Sequence, residues 1–153
     1  MFNLFRKSKH FFDHWEKRVD LFTPFVPETG SLGKLSLGDE IENIAVLGKP
    51  LSFRSSERNH YTLEYKDLCF DCEEGCITYI GCTWGEVVVT TADGRRIEQG
   101  LTCDQLKNLL GAPDEESVED VDDIILTYTR NGLVMECEFG RYQELVRINS
   151  FKS

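Results

Sequence analysis

Residues 124–151, IILTYTRNGLVMECEFGRYQELVRINSF, decide the fold of this chain. Apolar and polar residues alternate through most of the stretch, which is the pattern of strands that bury one face and expose the other. The Arg130-Asn131-Gly132 turn is a strong hairpin signal, because asparagine and glycine both accept the positive φ angles of a tight turn. Gly140-Arg141 turns the chain a second time. The stretch therefore predicts three antiparallel strands joined in sequence order.

A second stretch, residues 61–82, YTLEYKDLCFDCEEGCITYIGC, has the same pattern. Its turns are Lys66-Asp67 and Glu73-Glu74-Gly75. Residues 63–65 parallel residues 126–128, so that Tyr65 is equivalent to Tyr128. This equivalence predicts a structural role for both tyrosines.

Each stretch follows a segment with helical periodicity. The apolar stripe is Ile41, Ile44, Ala45 and Leu47 in residues 34–50, and Leu106, Leu109 and Leu110 in residues 99–115. Both segments end Leu-Gly-x-Pro, where the glycine suits the left-handed position after a helix and the proline prevents its continuation. Thr102 and Gln105 have the spacing of a capping box. Two helices are predicted.

These patterns together predict an α+β fold of two tandem repeats, each a helix followed by an antiparallel β-meander, forming a two-layer sandwich. The repeats are about 63 residues apart, judged from Gly48 to Gly111. An extra N-terminal amphipathic helix is predicted over residues 8–21, with its aromatic face packed on the sheet. We expect one compact domain: residues 1–33 for this helix and a loop, 34–98 for the first repeat with a linking hairpin, and 99–153 for the second repeat.

The second predicted repeat resembles the repeat of the BamE/SmpA envelope proteins and of the tandem-repeat beta-lactamase inhibitory proteins. The residues that carry the resemblance are Gly100, Thr102, Leu106, Leu110, Gly111, Pro113, Tyr128 and the strand residues up to Ile148. The first repeat matches more weakly, because Gly38 or Asp39 stands at the place of the capping threonine. The resemblance implies a non-enzymatic fold whose open sheet face binds another protein.

The net charge of −10 limits the classes of partner. Residues 1–20 contain five basic and three acidic side chains, so the remaining residues carry a net −12. An acidic surface repels phosphate backbones, which excludes nucleic acid as the expected partner. The same field would steer a basic protein toward the surface.

The first 22 residues have neither the continuous apolar run nor the small-residue cleavage site of a secretory signal. No stretch approaches the roughly 20 apolar residues that a membrane span needs. We therefore expect a cytoplasmic protein with reduced thiols.

Four cysteines between residues 69 and 82 invite a metal hypothesis, since CxxC spacing is typical of zinc sites. Cys69 and Cys72 lie an odd number of residues apart on a predicted strand, so their side chains should point to opposite faces. Cys76 and Cys82 complete the cluster. The favoured interpretation is free thiols with no bound metal and no cofactor.

Residues 114–123, DEESVEDVDD, hold seven carboxylates in ten positions. We predict a solvated loop between helix and strand, and as the functional alternative an acidic patch for a basic partner. The residues nominated for that patch are Asp114, Glu115, Glu116, Glu119 and Asp120. His10 and His14 share one helix face by spacing, but they lack a third ligand and are predicted to be surface residues.

Tyr79 and Trp84 are the aromatic residues nominated for partner contact, because large rigid rings contribute contact area at low entropy cost. Five basic side chains within residues 1–20 leave a second role open, in which the N-terminal helix lies on an anionic membrane.

The sequence therefore predicts a non-enzymatic protein-interaction module, such as an inhibitor or an immunity-type protein, with a basic protein partner and no catalytic residues. Two alternatives stay open. One is a metal-binding or ligand-binding sensor or enzyme that uses Cys69 to Cys82, and the other is a peripheral membrane adaptor.

Overall fold

A computed structural model describes residues 10–16, 24–57, 59–120 and 123–152 of the chain. The strands are β1 (Phe25–Val26), β2 (Ser31–Leu32), β3 (Leu35–Ser36), β4 (Ser52–Glu57), β5 (His60–Glu64), β6 (Leu68–Glu73), β7 (Cys76–Cys82), β8 (Glu115–Asp120), β9 (Asp123–Arg130), β10 (Leu133–Phe139) and β11 (Leu145–Lys152). The helical segments are a 3₁₀ helix, Ile41–Leu47, and an α-helix, α1 (Cys103–Leu110). Strands dominate the described part of the chain.

The eight longer strands form one antiparallel sheet in the order β4-β5-β6-β7-β11-β10-β9-β8. Strands β4 to β7 are hydrogen-bonded in sequence order, and so are β8 to β11. The two groups meet where β7 pairs with β11, for example at Cys82 opposite Ile148. This order leaves β4 and β8 as the two edges, while β1, β2 and β3 form a separate small sheet.

One face of the eight-stranded sheet carries the hydrophobic core. Its fully buried strand residues include Leu63, Phe70, Ile80, Leu126, Cys137 and Ile148. The same core contains Ile44 and Leu47 of the 3₁₀ helix, Leu106 of α1 and Phe25 of β1. Because successive strand residues point to opposite sides, the residues between these buried positions line the other side of the sheet, which we call the open face.

The hairpin between β9 and β10 confirms the strongest local prediction. Asn131 and Gly132 have φ angles of 54° and 78°, and Leu133 pairs with Arg130 directly across the turn. Two positive φ angles match the turn to the right-handed twist of the strands, which explains why the Asn-Gly pair ends one strand and starts the next.

The prediction of two tandem helix-plus-meander repeats in an α+β sandwich is wrong. The fold is mostly β, with an eight-stranded sheet, a three-stranded sheet and short helical segments. Residues 41–47 form a 3₁₀ helix rather than an α-helix, with no side-chain cap at Glu40. Isoleucine, valine and asparagine are poor helix formers, and the segment is only seven residues long, so its apolar spacing did not produce an α-helix.

The extra N-terminal helix is also a wrong prediction. Residues 10–16 form successive i→i+3 turns, and the other residues of the predicted helix lie outside the described residues. The predicted packing of the aromatic face on the sheet is confirmed. The ring of Phe11 lies 5.7 Å from that of Phe53 and 5.4 Å from that of Tyr61, measured between centroids.

The acidic run is not the predicted loop, because residues 115–120 form β8 and β9 begins at Asp123. Pairing with β9 places Glu116 opposite Leu126 and Ser117 opposite Ile125. An edge strand has one side free to solvent, so it tolerates carboxylates that a central strand would bury. The strand was therefore missed in the sequence because its residues are mostly acidic.

Candidate functional site

A cavity of about 440 Å³ opens on the open face, above strands β4 to β7 and β11. Its lining includes Arg54, Glu64, Asp71, Tyr79 and Arg147, together with the Lys66-Asp67 turn. This volume falls in the range of about 300 to 1,000 Å³ that is usual for small-ligand sites. The lining carries three basic and three acidic side chains, so the cavity is polar and close to neutral.

The floor of the cavity is formed by the two smallest residues of its central strands. Cys69 on β6 pairs with Gly81 on β7, and Gly81 pairs with Asn149 on β11. A Cβ atom at Gly81 would lie 2.9 Å from the Sγ atom of Cys69 and 2.9 Å from the Oδ1 atom of Asn149. Both contacts are too short, so glycine is needed here for the sheet to keep this depression.

Arg147 of β11 holds the polar groups of the cavity together. Its Nη2 atom donates to the hydroxyl oxygen of Tyr79 at 2.8 Å and to the Sγ atom of Cys69 at 3.4 Å. Its Nε atom donates to Oδ1 of Asn149 at 2.8 Å and lies 3.4 Å from Oε2 of Glu138. A half-buried guanidinium with four neighbours is fixed in position, which is the property that a binding site requires.

The two groups that accept from the Nη2 atom of Arg147, the Tyr79 hydroxyl and the Cys69 thiol, stay neutral near pH 7. Burial raises the pKa of Tyr79 to about 12, although the Arg147 charge opposes this shift. Burial likewise raises the pKa of the Cys69 thiol. A protonated thiol is a poor nucleophile, so the cavity is better suited to binding than to cysteine catalysis.

Beyond the cavity, from β10 toward the β8 edge, the open face is acidic. Glu136 and Glu138 lie two residues apart on β10, so both point to the open face. Partial burial and then the neighbouring Glu138 charge raise the pKa of Glu136. Across the sheet, Glu136 pairs with Thr127 of β9, and Thr127 pairs with Glu115 of the edge strand β8. A cation bound here would relieve the repulsion between the carboxylates.

Most of the residues nominated for the acidic patch lie on the edge strand β8. Glu115 is paired with Thr127 on the open face, whereas Glu116 points to the helix side and lies 3.2 Å from the Nζ atom of Lys107. Asp114 precedes the strand and accepts a hydrogen bond from the backbone N–H of Thr129 at 2.7 Å. Glu119 and Asp120 belong to β8 by backbone, and their side chains lie outside the description.

The two aromatic candidates have different environments. Tyr79 is half-buried on the open face and stacks on Phe151 with 6.1 Å between ring centroids. Trp84 is only 5% exposed, and its indole N–H donates to the carbonyl oxygen of Ile97 at 3.1 Å. The Trp84 ring therefore belongs to the core and offers no surface to a partner.

The cysteine cluster is divided between the two faces of the sheet. Cys69 lines the cavity, while Cys72 and Cys82 are buried in the core, as the odd spacing of Cys69 and Cys72 predicted. Among the described residues, no group of three or more His, Cys, Asp or Glu side chains could hold a metal ion. His10 stacks on Phe12, and His14 lies 3.6 Å from Glu42.

Sequence reasoning missed Arg147 and Asp71, which line the cavity. Each stands at a polar position between apolar residues, Arg147 between Val146 and Ile148 and Asp71 between Phe70 and Cys72. The signal was therefore a charged side chain in the middle of an alternating strand, where it points to the open face. Which strands become neighbours decides whether such charges meet, and no local pattern specifies that.

Comparison with known proteins finds similarity in structure only. No protein-family model and no curated protein sequence matches the chain. A DUF4309 family protein (YjgB) from Bacillus subtilis is 14% identical with a TM-score of 0.57, and the match covers 83% of this chain and 90% of that one. An extracellular protein containing a SCP domain, from Bacillus anthracis, is 12% identical with a TM-score of 0.61, covering 97% of this chain and 50% of that one. A cysteine-rich secretory protein from Staphylococcus aureus is 9% identical with a TM-score of 0.56, covering 76% and 44%.

Identities this low show a shared fold and leave function open. The chain spans half or less of the length of the last two proteins. The three proteins belong to other families than the BamE/SmpA and beta-lactamase inhibitory proteins, so that resemblance remains a prediction. In the described residues, no helix is long and apolar enough to cross a membrane.

Proposed function

We propose that this protein is a non-enzymatic interaction module that takes a basic, extended segment of a partner protein along the outer edge of β8. The observation that carries the proposal is the position of β8, a six-residue strand at the end of the eight-stranded sheet with acidic side chains on both of its faces. Within the described residues, no strand pairs with its outer edge. An edge of this kind can accept a further strand through its backbone N–H and C=O groups.

The side chains of β8 favour a basic partner over a second copy of the chain. Glu115 points to the open face and Glu116 to the helix side, so an added strand would meet a carboxylate on either side. Two β8 edges placed together would bring like charges opposite one another, which destabilises the pair. Lysine or arginine at alternate positions of the added strand would instead find acidic neighbours.

Three further observations support the proposal. Val118 is 62% exposed on the same strand and offers an apolar contact beside the charges. The acidic open-face residues Glu136 and Glu138 extend the negative surface inward from Glu115. The net charge of −10 would speed the approach of a basic segment, more strongly at low salt.

Binding of a fluorescent (Lys-Thr)₄ peptide, followed by anisotropy, tests the proposal. A second peptide with proline in place of the two central threonines keeps the charge but removes two backbone donors. We expect the first peptide to bind at least about tenfold more tightly than the second, because strand addition depends on backbone hydrogen bonds. Equal binding of the two peptides would show attraction by charge alone and would contradict strand addition.

Matched protein variants locate the binding. Glu115→Gln with Glu116→Gln should weaken binding about two- to fivefold per carboxylate, the effect of exposed ion pairs. Glu73→Gln with Glu74→Gln removes the same charge near the turn between β6 and β7, five strands away, and should have little effect. If both double variants weaken the peptide equally, β8 is not the site.

A further inference from the structure

The cavity on the open face is a second site, separate from β8. It lies above β4 to β7 and β11, whereas β8 is three strands beyond β11. The cavity combines a depression of about 440 Å³, a glycine that keeps its floor low, and charged side chains of both signs. None of these features contributes to strand addition at the edge.

Among the basic side chains of the cavity, Arg147 has hydrogen-bonding capacity that the protein does not use. Arg147 uses its Nε and Nη2 atoms in contacts with Asn149, Tyr79 and Cys69, and its Nε atom also lies 3.4 Å from Oε2 of Glu138. Within the described residues, its Nη1 atom has no hydrogen-bond partner. A guanidinium group binds carboxylates through two parallel N–H donors where geometry allows, and a single charged hydrogen bond is already stronger than a neutral one.

Among the acidic side chains of the cavity, Asp71 likewise uses only one of its two carboxylate oxygens in a hydrogen bond. Asp71 accepts a hydrogen bond from the hydroxyl of Thr62 through Oδ1 at 2.8 Å. Within the described residues, no side chain donates a hydrogen bond to its Oδ2 atom or forms an ion pair with it. Asp71 is the register partner of Tyr79, and Tyr79 accepts a hydrogen bond from Arg147, so both charged residues neighbour Tyr79.

The other charges of the lining are paired or peripheral. Arg54 donates to Oε1 of Glu64 at 2.8 Å, which closes the β4 side of the cavity. Lys66 is exposed at the turn between β5 and β6, beside Asp67. A ligand with only negative charge would be repelled by Asp71 and Asp67, and one with only positive charge by Arg147. The arrangement therefore selects for both charges in one molecule.

We propose that the cavity binds a small zwitterion of amino-acid to short-peptide size, with its carboxylate on Arg147 and its ammonium group on Asp71. The body of the ligand lies over Cys69 and Gly81, in contact with the Tyr79 ring. The proposal is independent of the β8 proposal, since it uses different residues and a different class of ligand.

Calorimetric titration with leucine, Ala-Leu and Ala-Leu-Ala tests this inference. For whichever of the three binds, the N-acetylated form lacks the ammonium group and the C-terminal amide lacks the carboxylate. We expect each blocked form to bind about tenfold more weakly or worse, the effect of losing one charge-assisted hydrogen bond. The proposal would be overturned if none of the three compounds bound at millimolar concentration. It would also be overturned if the blocked forms bound as tightly as the free compound.

Two variants, each of which removes one charge, assign the ends of the ligand. Arg147→Gln should abolish the preference for a free carboxylate and keep the preference for a free ammonium group, and Asp71→Asn should do the reverse. Arg96→Gln and Asp104→Asn, which change exposed charges outside the cavity lining, serve as controls and should leave both preferences intact. Variants that weaken all forms of the ligand equally would contradict the assigned orientation, and an unchanged far-ultraviolet circular dichroism spectrum would show that the fold persists.

Discussion

Two tyrosine hydroxyl groups fix the ends of the helical segments to the sheet. Tyr65 donates to the carbonyl oxygen of Gly48 at 2.7 Å, and Tyr128 donates to that of Gly111 at 2.9 Å. Both glycines follow a helical segment and have φ angles of 77° and 87°. The hydroxyls satisfy carbonyls that a helix end leaves without an intrahelical donor. The structural role predicted for the two tyrosines is confirmed.

Removing the buried hydroxyl group should therefore destabilise the protein. We expect Tyr65→Phe to lower the free energy of unfolding by about 1 to 2 kcal/mol, because the Gly48 carbonyl loses its donor. Urea unfolding measures the change, and Tyr142→Phe at an 80% exposed position is the control. If Tyr65→Phe changed the free energy of unfolding as little as Tyr142→Phe does, the Tyr65 hydrogen bond would contribute nothing to stability.

The glycine at the floor of the cavity should not tolerate even a methyl group. We expect Gly81→Ala to destabilise the fold by about 1 to 3 kcal/mol, because the added Cβ meets the Sγ atom of Cys69 and Oδ1 of Asn149. Cys69→Ala in the same chain should restore part of the loss, since it removes one of the two contacts. Strictly additive effects of the two substitutions in a double-mutant cycle would contradict this packing.

Residue-level features were predictable where the chemistry is local. The Asn131-Gly132 turn follows from residue type alone. Trp84 was misjudged because a tryptophan near a strand end is equally compatible with a core and with an interface, and its burial depends on Ile97, thirteen residues further on. Arg147 meets Cys69 across 78 residues, which no local pattern reveals.

At the scale of the elements, the α-helix α1 begins with a capping box in its first turn. The Thr102 side chain accepts from the Gln105 backbone N–H at 3.2 Å, and the Gln105 side chain accepts from the Thr102 N–H at 2.9 Å. The capping box predicted from the sequence is confirmed. The 3₁₀ helix has no such cap, which is one reason why the two segments differ although both precede a β-meander.

Loss of this cap should be measurable in the whole protein. We expect Thr102→Ala to reduce the free energy of unfolding by about 1 kcal/mol, whereas Thr102→Ser keeps the acceptor and should cost less than half of that. Chemical denaturation followed by far-ultraviolet circular dichroism measures both. A serine variant as unstable as the alanine variant would mean that the hydroxyl is not the relevant group.

Edge strands are the elements for which sequence reasoning failed. β8 was predicted as a loop because seven carboxylates in ten residues dominate its composition, and only Val118 within the strand has a high β-propensity. Position in the sheet decided the outcome, since an edge leaves charged side chains in water. The same position gives the acidic residues their proposed role.

At the scale of the whole molecule, the central β7 and β11 pairing joins strands that are distant in sequence. The order of the eight strands results from that one pairing, in which Ile80 faces Ser150. Alternation predicted most of the strands, but it could not predict this pairing, because local periodicity carries no information about which edges meet. The tandem α+β prediction was wrong at this scale, because the two groups of strands join into one sheet and the chain is mostly β.

The buried thiols make the stability of the whole molecule depend on alkaline pH. Burial raises the pKa of Cys72 to about 12 and that of Cys82 to about 11 in the folded protein, while an unfolded thiol titrates near about 8.5. The folded state therefore holds these protons more tightly, so their contribution to stability is complete below about pH 8.5 and is lost as the pH rises through about 11.

Urea unfolding between pH 7 and pH 10.5 should show a falling free energy of unfolding above about pH 8.5. Cys72→Ala with Cys82→Ala should be less stable at pH 7 but should show a shallower decline, because two titrating thiols are gone. An identical pH slope in both proteins would show that these thiols do not titrate as their burial requires.

The proposed role of the acidic edge is tested most directly by amide hydrogen exchange of the full chain with and without the (Lys-Thr)₄ peptide. Strand addition predicts new protection at the amides of β8 that point away from β9, and no change at β4, the opposite edge of the sheet. Protection at both edges, or at neither while the peptide is bound, would contradict the account.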